Sequence, residues 1–389
     1  SARHPRDLYG YLVEIDPGQP SDEYYGKTSA GVGHQKLGSL GRARWENTTF
    51  AVDGDWKPIP DQPIVMYGGD DRRSGRIFKW VSKSPYKPGM TRAQIRGLLA
   101  EGYLYVAHFA DLDNATGTTL EGGAEATESK PGHGQWILLS VANAADVAPN
   151  AGTAAGAKDT KVGAALKDMQ WNGIGGFADD DALRLALFTA CNKLGIMELN
   201  RPEDIEWNPN DPSGTPRLYV AFTKHGKQTA LDDAGVMFKP DEWAMKAPTR
   251  ADAVGTIFAI QEADPGKPGA SKAFTFFKAF QGTEGSGPFD AGNPDNILID
   301  RDGGVWFGTD GNFGLNGHAD GLYYLDLAPQ HKAGQPGVVT PTWGKPLRVV
   351  AGPSDSEATG PAFSSDMRSL FYSVQHPGEE VFSRWPGNR

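Results

Sequence analysis

The sequence predicts an all-β fold: a decorated β-propeller with a small helical insertion. Three observations predict it. Glycine and proline number 50 and 28 of 389 residues, well above the roughly 12% expected for the two together. Breakers at that density argue against a helical bundle, and their lack of a period argues against collagen. Short β-branched and aromatic runs recur along the chain, bounded by Gly, Pro, Asp or Asn, which is the strand signature. Finally, a unit of acidic residue, short strand, polar turn and aromatic strand repeats. A pair of β-sandwiches is the structural alternative.

In chain order the predicted strands are Tyr9–Ile15, Ile64–Tyr67, Arg76–Val81, Tyr103–His108 and Gln135–Leu139, then Leu218–Thr223, Thr256–Ile260, Ile297–Ile299, Val305–Gly308, Leu322–Leu325 and Ser369–Val374. Two segments read as helical. Thr91–Ala100 follows Pro88-Gly89 with Thr91 as N-cap, and Asp180–Leu194 is mostly apolar and closed by Gly195. Val141–Gly176, rich in Ala, Gly, Asp and Lys, reads as an insertion or long loop. The expected organisation is one propeller domain over residues 1–389, with the insertion at about 141–200 and its main helical part at about 160–195.

The repeat is visible in Arg201-Pro-Glu-Asp-Ile-Glu-Trp-Asn-Pro, Asn293-Pro-Asp-Asn-Ile-Leu-Ile-Asp-Arg and Glu357-Ala-Thr-Gly-Pro-Ala-Phe-Ser-Ser, with Arg44-Trp-Glu-Asn-Thr-Thr-Phe-Ala-Val-Asp as a fourth copy. An aromatic strand follows each. Repeated antiparallel meanders stacked radially make a propeller. The unequal spacing of the copies marks variable insertions.

In a propeller the innermost strand of each blade lines the axial channel, so residues just before those strands converge. Glu46, Glu203, Asp295 and Glu357 hold that position. Converging carboxylates repel one another unless some stay neutral or cations join them. Oxygen-liganded hard cations suit that arrangement, calcium above all. Turn acids facing water are the alternative. Arg201 lies two residues before Glu203, placed either to clamp a phosphate or carboxylate beside the metals or to pair with one of the acids. Asp70 and Asp71 could ligate a cation and Arg72 and Arg73 meet an anion, or all four could form a solvated hairpin tip. His376 and Asp310 read as turn residues before ligands. Asp300-Arg-Asp-Gly-Gly304 reads as a hairpin turn, and Cys191 as a buried helix residue.

A net charge of −10 makes the chain a poor binder of phosphate backbones, which argues against nucleic acid as a partner. One cysteine allows neither an intrachain disulfide nor a Cys-rich metal site. No stretch approaches the roughly 18 apolar residues of a membrane span. P-loop, dinucleotide and nucleophile-elbow motifs are absent.

The chain resembles the PhoX alkaline phosphatases. The resemblance rests on Gly10-Tyr-Leu-Val-Glu-Ile-Asp-Pro17, Gly38-Ser-Leu-Gly-Arg-Ala-Arg-Trp-Glu-Asn47, Met66-Tyr-Gly-Gly-Asp-Asp-Arg72, Arg76-Ile-Phe-Lys-Trp-Val81, Arg201-Pro-Glu-Asp-Ile205, Pro294-Asp-Asn296, Glu357 through Gly360 and Val374-Gln-His-Pro-Gly378. These run in family order along nearly the whole chain. The resemblance implies a six-bladed propeller, hydrolysis of phosphate monoesters with release of phosphate, Ca2+ and Fe3+ as cofactors, and export to the periplasm or outside, although no signal peptide is recognised in this chain. Glu46 and Glu203 match metal-binding glutamates, Asp295 and Glu357 fall on acidic motif positions, and Arg201 matches a substrate-binding arginine. The family's cysteine ligand to iron lies in an N-terminal Asn-Cys-Ala-Gly-Gly-like segment with no counterpart here, and Cys191 stands in another context. The corresponding expectations are a fragment, one piece of a cleaved chain with that segment as a separate partner, or a divergent relative; an incomplete propeller would leave strand edges exposed. The rival functions are a calcium-dependent propeller lactonase or phosphotriesterase, which Asp302–Asp310 would suit, and a non-catalytic propeller binding module.

Overall fold

Residues 5–18, 33–113, 116–147, 160–225, 252–379 and 382–383 are described in a computed structural model. The chain is mostly β, and every strand pairing is antiparallel. Short strands β1 (Val13–Glu14) and β2 (Gln35–Lys36) pair near its start. The strands that follow are β3 (Trp45–Phe50), β4 (Pro63–Asp70), β5 (Arg73–Gly75), β6 (Ile77–Pro85), β7 (Gly102–His108) and β8 (Gly132–Leu138). Next come β9 (Leu199–Asn200), β10 (Pro202–Asn208), β11 (Arg217–Phe222), β12 (Thr256–Glu262) and β13 (Ala273–Gln281). The last are β14 (Pro294–Ile299), β15 (Val305–Thr309), β16 (Gly321–Asp326), β17 (Lys345–Ala351), β18 (Glu357–Phe363) and β19 (Leu370–Gln375). β2, β5, β9, β13 and β17 lie outside the predicted runs, and β3, β10 and β18 fall on the heads of the repeat copies. The Tyr9–Ile15 run contributes only β1.

The strands form meanders. β3-β4-β6-β7 is the first, β10-β11-β12-β13 the second, β14-β15-β16-β17 the third, and β18-β19 a two-stranded fourth. β8 extends the first meander and pairs with β13, Ala273 opposite Gln135, so two meanders join in one nine-stranded sheet. The leading strands lie side by side: β10 packs against β3 on one flank and β14 on the other, and β14 against β18. β5 and β9 form a ribbon that pins the turn after β4 to the approach of β10, with Arg73 opposite Asn200.

The main core lies between the first two meanders and reaches Phe307 and Tyr323 of the third. Tyr67 and Trp207 stack there at 5.9 Å. A buried ion pair crosses it, Lys79 Nζ to Glu262 Oε1 at 2.7 Å. Tyr67 Oη donates to the same oxygen at 2.6 Å and Trp136 Nε1 to Oε2 at 2.9 Å. Lys79 also donates to the Ser271 carbonyl at 3.0 Å. With both partners satisfied, the pair ties β4, β6, β8 and β12 together without an orphaned charge. β12 is buried at six of its seven positions because both its faces are covered, whereas β19 alternates half-buried and exposed residues.

The second core covers the outer face of the first meander. Phe78, Trp80 and Val106 pack with residues of α2 (Val162–Lys167) and α4 (Leu187–Lys193). α1 (Arg92–Leu98) starts at Thr91 with the expected cap, completed by Gln94. The Asp180–Leu194 segment is not one helix. α3 (Asp180–Arg184) stops because the Arg184 and Leu185 carbonyls, which a continuing helix would use, accept instead from the Arg42 amide and Nη1, each at 2.8 Å. The stretch read as loop contains α2, and α5 (Asn312–Asn316) follows β15. Among the described residues no helix is long and apolar enough to cross a membrane.

Candidate functional site

Three leading strands begin with the same irregularity. From Trp45 to Thr48, Pro202 to Ile205 and Pro294 to Ile297 the strand advances three residues while its partner advances two. Each is a β-bulge, and the acid sits on it: Glu46, Glu203 and Asp295. An extra residue at that point breaks the alternation and re-aims the side chain. In β18 the bulge falls between Thr359 and Ala362, so Glu357 sits in regular pairing opposite Gln375. Two residues before the acid, the backbone turns left-handed at Arg201 (φ 48°), Asn293 (φ 53°) and Asp355 (φ 52°).

The head of a leading strand lies beside the tail of the next. One residue past the register partners Asp70, Phe222, Thr309 and Gln375 come Asp71, Thr223, Asp310 and His376. Heads and tails converge. Ligand atoms of Glu46, Asp71 and Glu203 lie within 4.8 Å of one another, and so do those of Asp310, Glu357 and His376. Asp295, buried, joins the two trios. Burial holds its carboxyl well above the ordinary range, and the charges of Glu203, Glu357, Asp310 and Glu46 push the same way. The four acids proposed from sequence therefore share one electrostatic site.

Its hydrogen bonds are specific. Thr223 Oγ1 donates to Glu203 Oε1 at 3.0 Å, and Asn296 Nδ2 to Asp295 Oδ1 at 2.8 Å. His376 meets Glu357 through Nε2 at 3.1 Å and Glu379 through Nδ1 at 3.0 Å. Burial opposes the His376 charge, but Glu379 and Glu357 outweigh it and raise its pKa. Burial pushes Glu203 up to about 9 against the pull of Arg201, and Glu357 up to about 7 with help from Asp310. Glu46 is raised by burial and then by Asp71.

Arg201 bridges the first trio, Nε to Asp71 Oδ1 and Nη2 to Glu203 Oε1, both at 2.9 Å. Strand alternation is the simplest reason for residues two apart to share a face. That reason fails. Arg201 is left-handed and Glu203 is on a bulge, so neither keeps the alternation, and the two departures together bring them into contact. At 38% exposure the guanidinium also faces solvent.

The donor set fits hard cations. Six carboxylates face one guanidinium and one imidazole; carboxylate oxygen is the donor of hard-cation sites, and the imidazole nitrogen would suit a transition metal. Sequence reasoning weighed Asp71, Asp310 and His376 mainly as turn residues and did not consider Thr223. Aligning the tails of the second strands, as the heads of the first were aligned, would have found all four. Asp70 instead accepts the Arg44 amide at 2.8 Å, and Arg72 stacks on Phe188. Arg73 is exposed on β5. Asp300 closes its hairpin by accepting from Asp302 and Gly304. Cys191 is fully buried among apolar residues, and burial pushes its thiol up to about 12.

The family described as alkaline phosphatase PhoX matches residues 2–378. Among solved structures the chain is similar to Pseudomonas fluorescens PhoX in complex with vanadate, a transition state analogue. The identity is 25%, 98% of this chain and 55% of that one are covered, and the TM-score is 0.61. The chain thus spans about half the length of that relative. A comparison with curated proteins finds no match.

Proposed function

Since the chain belongs to the PhoX alkaline phosphatase family, we propose that it serves as a metal-dependent phosphatase, hydrolysing phosphate monoesters and releasing inorganic phosphate. The observation that carries this reading is Arg201, half-exposed at the rim of a carboxylate cluster and anchored by two of its members. A planar guanidinium held in place suits two charge-assisted hydrogen bonds to phosphoryl oxygens, whose charge grows as the ester bond breaks.

In this reading Glu46, Glu203, Asp295 and Glu357 hold the cations, Ca2+ and Fe3+, with Asp71, Asp310 and His376 completing the donor set. Bound cations would polarise the phosphoryl group and offset its charge. Thr223 fixes the Glu203 carboxyl and Asn296 the Asp295 carboxyl. Glu379 orients the His376 ring by holding Nδ1, which leaves Nε2 facing Glu357. Asp71 and Glu203 keep the Arg201 fork in place at the rim. The four meanders would be blades of the family's six-bladed propeller, forming one domain with residues 141–200 as its insertion, in a protein exported to the periplasm or beyond.

The test is phosphate release from 4-nitrophenyl phosphate by the cation-loaded protein. Arg201→Ala should lose on the order of 2–4 kcal/mol of transition-state stabilisation with metal content unchanged. Arg201→Lys should recover part of the loss, lacking the planar fork. An inactive protein with its metals in place overturns the reading; full activity in Arg201→Ala makes this arginine structural.

A further inference from the structure

A second polar feature adjoins the cluster and plays no part in it. A cavity of about 890 Å³ is lined by Tyr9, Arg42, Arg44, Arg72, Leu185 and Phe188. Its arginines differ in what they already hold. Arg42 is committed, donating through Nε to the Tyr9 carbonyl at 2.7 Å and through Nη1 to the Leu185 carbonyl at 2.8 Å. Arg72 sits over Phe188, its guanidinium carbon 3.7 Å from the ring centroid. Its buried Nε has no hydrogen-bond partner among the described residues. Burial disfavours the Arg72 charge, Asp70 supports it, and Arg44 and Arg76 repel it. Arg44 is exposed, and among the described residues no acid forms an ion pair with its side chain or with that of Arg72.

This concentration of positive charge is unusual in a chain of net charge −10. Arg72 and Arg76 share one buried carboxyl, Asp70, which already accepts the Arg44 amide, while Arg42 turns to Asp7. Structural arginines are normally paired. Arg44, with no acid partner, and Arg72, which shares Asp70 with Arg76, can both take an anion that enters. The stacking on Phe188 holds one fork in a fixed plane, which lowers the entropy cost of binding.

The position relates the cavity to the reaction site. Arg72 directly follows Asp71, and its carbonyl accepts the Arg201 amide at 3.0 Å. Arg44 is two residues from Glu46, about 7 Å along extended backbone. The backbone that carries the two arginines is thus the backbone that carries Glu46 and Asp71.

We propose that this cavity is a subsite for a second anionic group, carboxylate or phosphate, on the leaving half of the phosphate ester. This rests on the phosphatase reading above. No bond forms or breaks in the subsite; Arg44 and Arg72 bind the second anion by charge-assisted hydrogen bonds, and Phe188, Leu185 and Tyr9 border its apolar part.

The experiment compares phenyl phosphate with 4-carboxyphenyl phosphate, and glycerol 2-phosphate with 3-phosphoglycerate and glycerol bisphosphate, on the cation-loaded protein. The esters that carry a second anionic group should show kcat/KM higher by about tenfold to a hundredfold, the worth of one charge-assisted hydrogen-bonded contact. The comparison of carboxylate with bisphosphate esters identifies which anion is preferred. In Arg44→Gln and, separately, Arg72→Gln that ratio should fall toward one. Arg44 is exposed, so its variant tests the idea even if Arg72→Gln folds poorly. A ratio of one in the unaltered protein, or a ratio that both variants leave intact, overturns the subsite while hydrolysis itself stands. If neither ester is hydrolysed, the phosphatase reading fails instead. Calorimetry then decides the subsite: isophthalate binding in saturating inorganic phosphate that is lost in Arg44→Gln supports it, and absence of binding overturns it.

Discussion

Asp204 Oδ2 accepts the backbone N–H of Ile297 at 2.8 Å, joining the second meander to the third. The contact repeats along the row of leading strands. Asn47 Oδ1 accepts the Ile205 amide at 3.0 Å, and Asn296 Oδ1 the Gly360 amide at 2.7 Å. Each side chain is the second residue of a bulge, immediately after a cluster acid. Leading strands of neighbouring meanders do not pair as a sheet, so their inward amides need another acceptor. The bulge supplies one, and adjacent residues thereby set both the site and the spacing of the strands that carry it.

This makes residue 204 a test of the bracket. Burial pushes the Asp204 carboxyl up to about 7, so its charge is costly there. Asn stands at the two equivalent positions. Asp204→Asn should therefore unfold in urea within about 1 kcal/mol of the parent, while Asp204→Ala should lose about 1–3 kcal/mol by orphaning a buried amide. Equal stability of Asn and Ala variants would deny the bracket any role.

The buried carboxyls give stability a pH slope when no cation is bound. Burial lifts Glu203 to about 9, Glu206 to about 8 and Glu357 to about 7, against roughly 4 in the unfolded chain. Between those values the folded state holds more protons than the unfolded one, so stability is full below about pH 4 and is lost as pH rises through about 7 to 9. Protein stripped with EDTA should show a Tm that falls from pH 5 to pH 9, and restored Ca2+ should flatten the curve. A Tm that climbs with pH after stripping would contradict the burial argument.

Gly69 allows the second meander to approach. A Cβ there would lie 2.6 Å from the Pro202 carbonyl oxygen and 2.8 Å from that of Glu203, both backbone atoms. Gly69→Ala must displace the start of β10 and with it Glu203. The expected cost is about 1–3 kcal/mol in denaturant, together with a loss of activity. Gly97→Ala is the control: nothing lies within 4 Å of its Cβ, and α1 should gain up to about 1 kcal/mol.

Lys193 closes the helical insertion. Its Nζ donates to the carbonyls of Asp168, Trp171 and Ile174 at 2.7, 3.1 and 2.7 Å. Lys193→Met keeps most of the volume and leaves three carbonyls without that donor. We expect a loss of about 3 kcal/mol or more in urea, with earlier proteolytic cleavage around residues 168–174. Unchanged cleavage would mean that the apolar packing of α2 and α4 suffices.

Much of this was legible in the sequence because the repeat is local. The acid, strand and aromatic-strand order places Glu46, Glu203, Asp295 and Glu357 at strand heads, and antiparallel meanders then bring those heads to a shared site. The N-cap at Thr91 and the burial of Cys191 likewise follow from neighbouring residues. The partners of the acids depend on register. Asp71, Thr223, Asp310 and His376 matter because an antiparallel strand returns its tail to the head of its predecessor, a juxtaposition set by loop lengths and bulges. The break between α3 and α4 was decided by Arg42, far off in the chain, taking carbonyls that an uninterrupted helix would have kept. Arg201 shows the division most plainly. Its residue type, two positions from Glu203, was enough to mark it, but its contact depends on a left-handed backbone and a neighbouring bulge. Those conformations are held by tertiary packing, because their local cost of roughly 1–3 kcal/mol is met only when the surrounding strands leave no alternative.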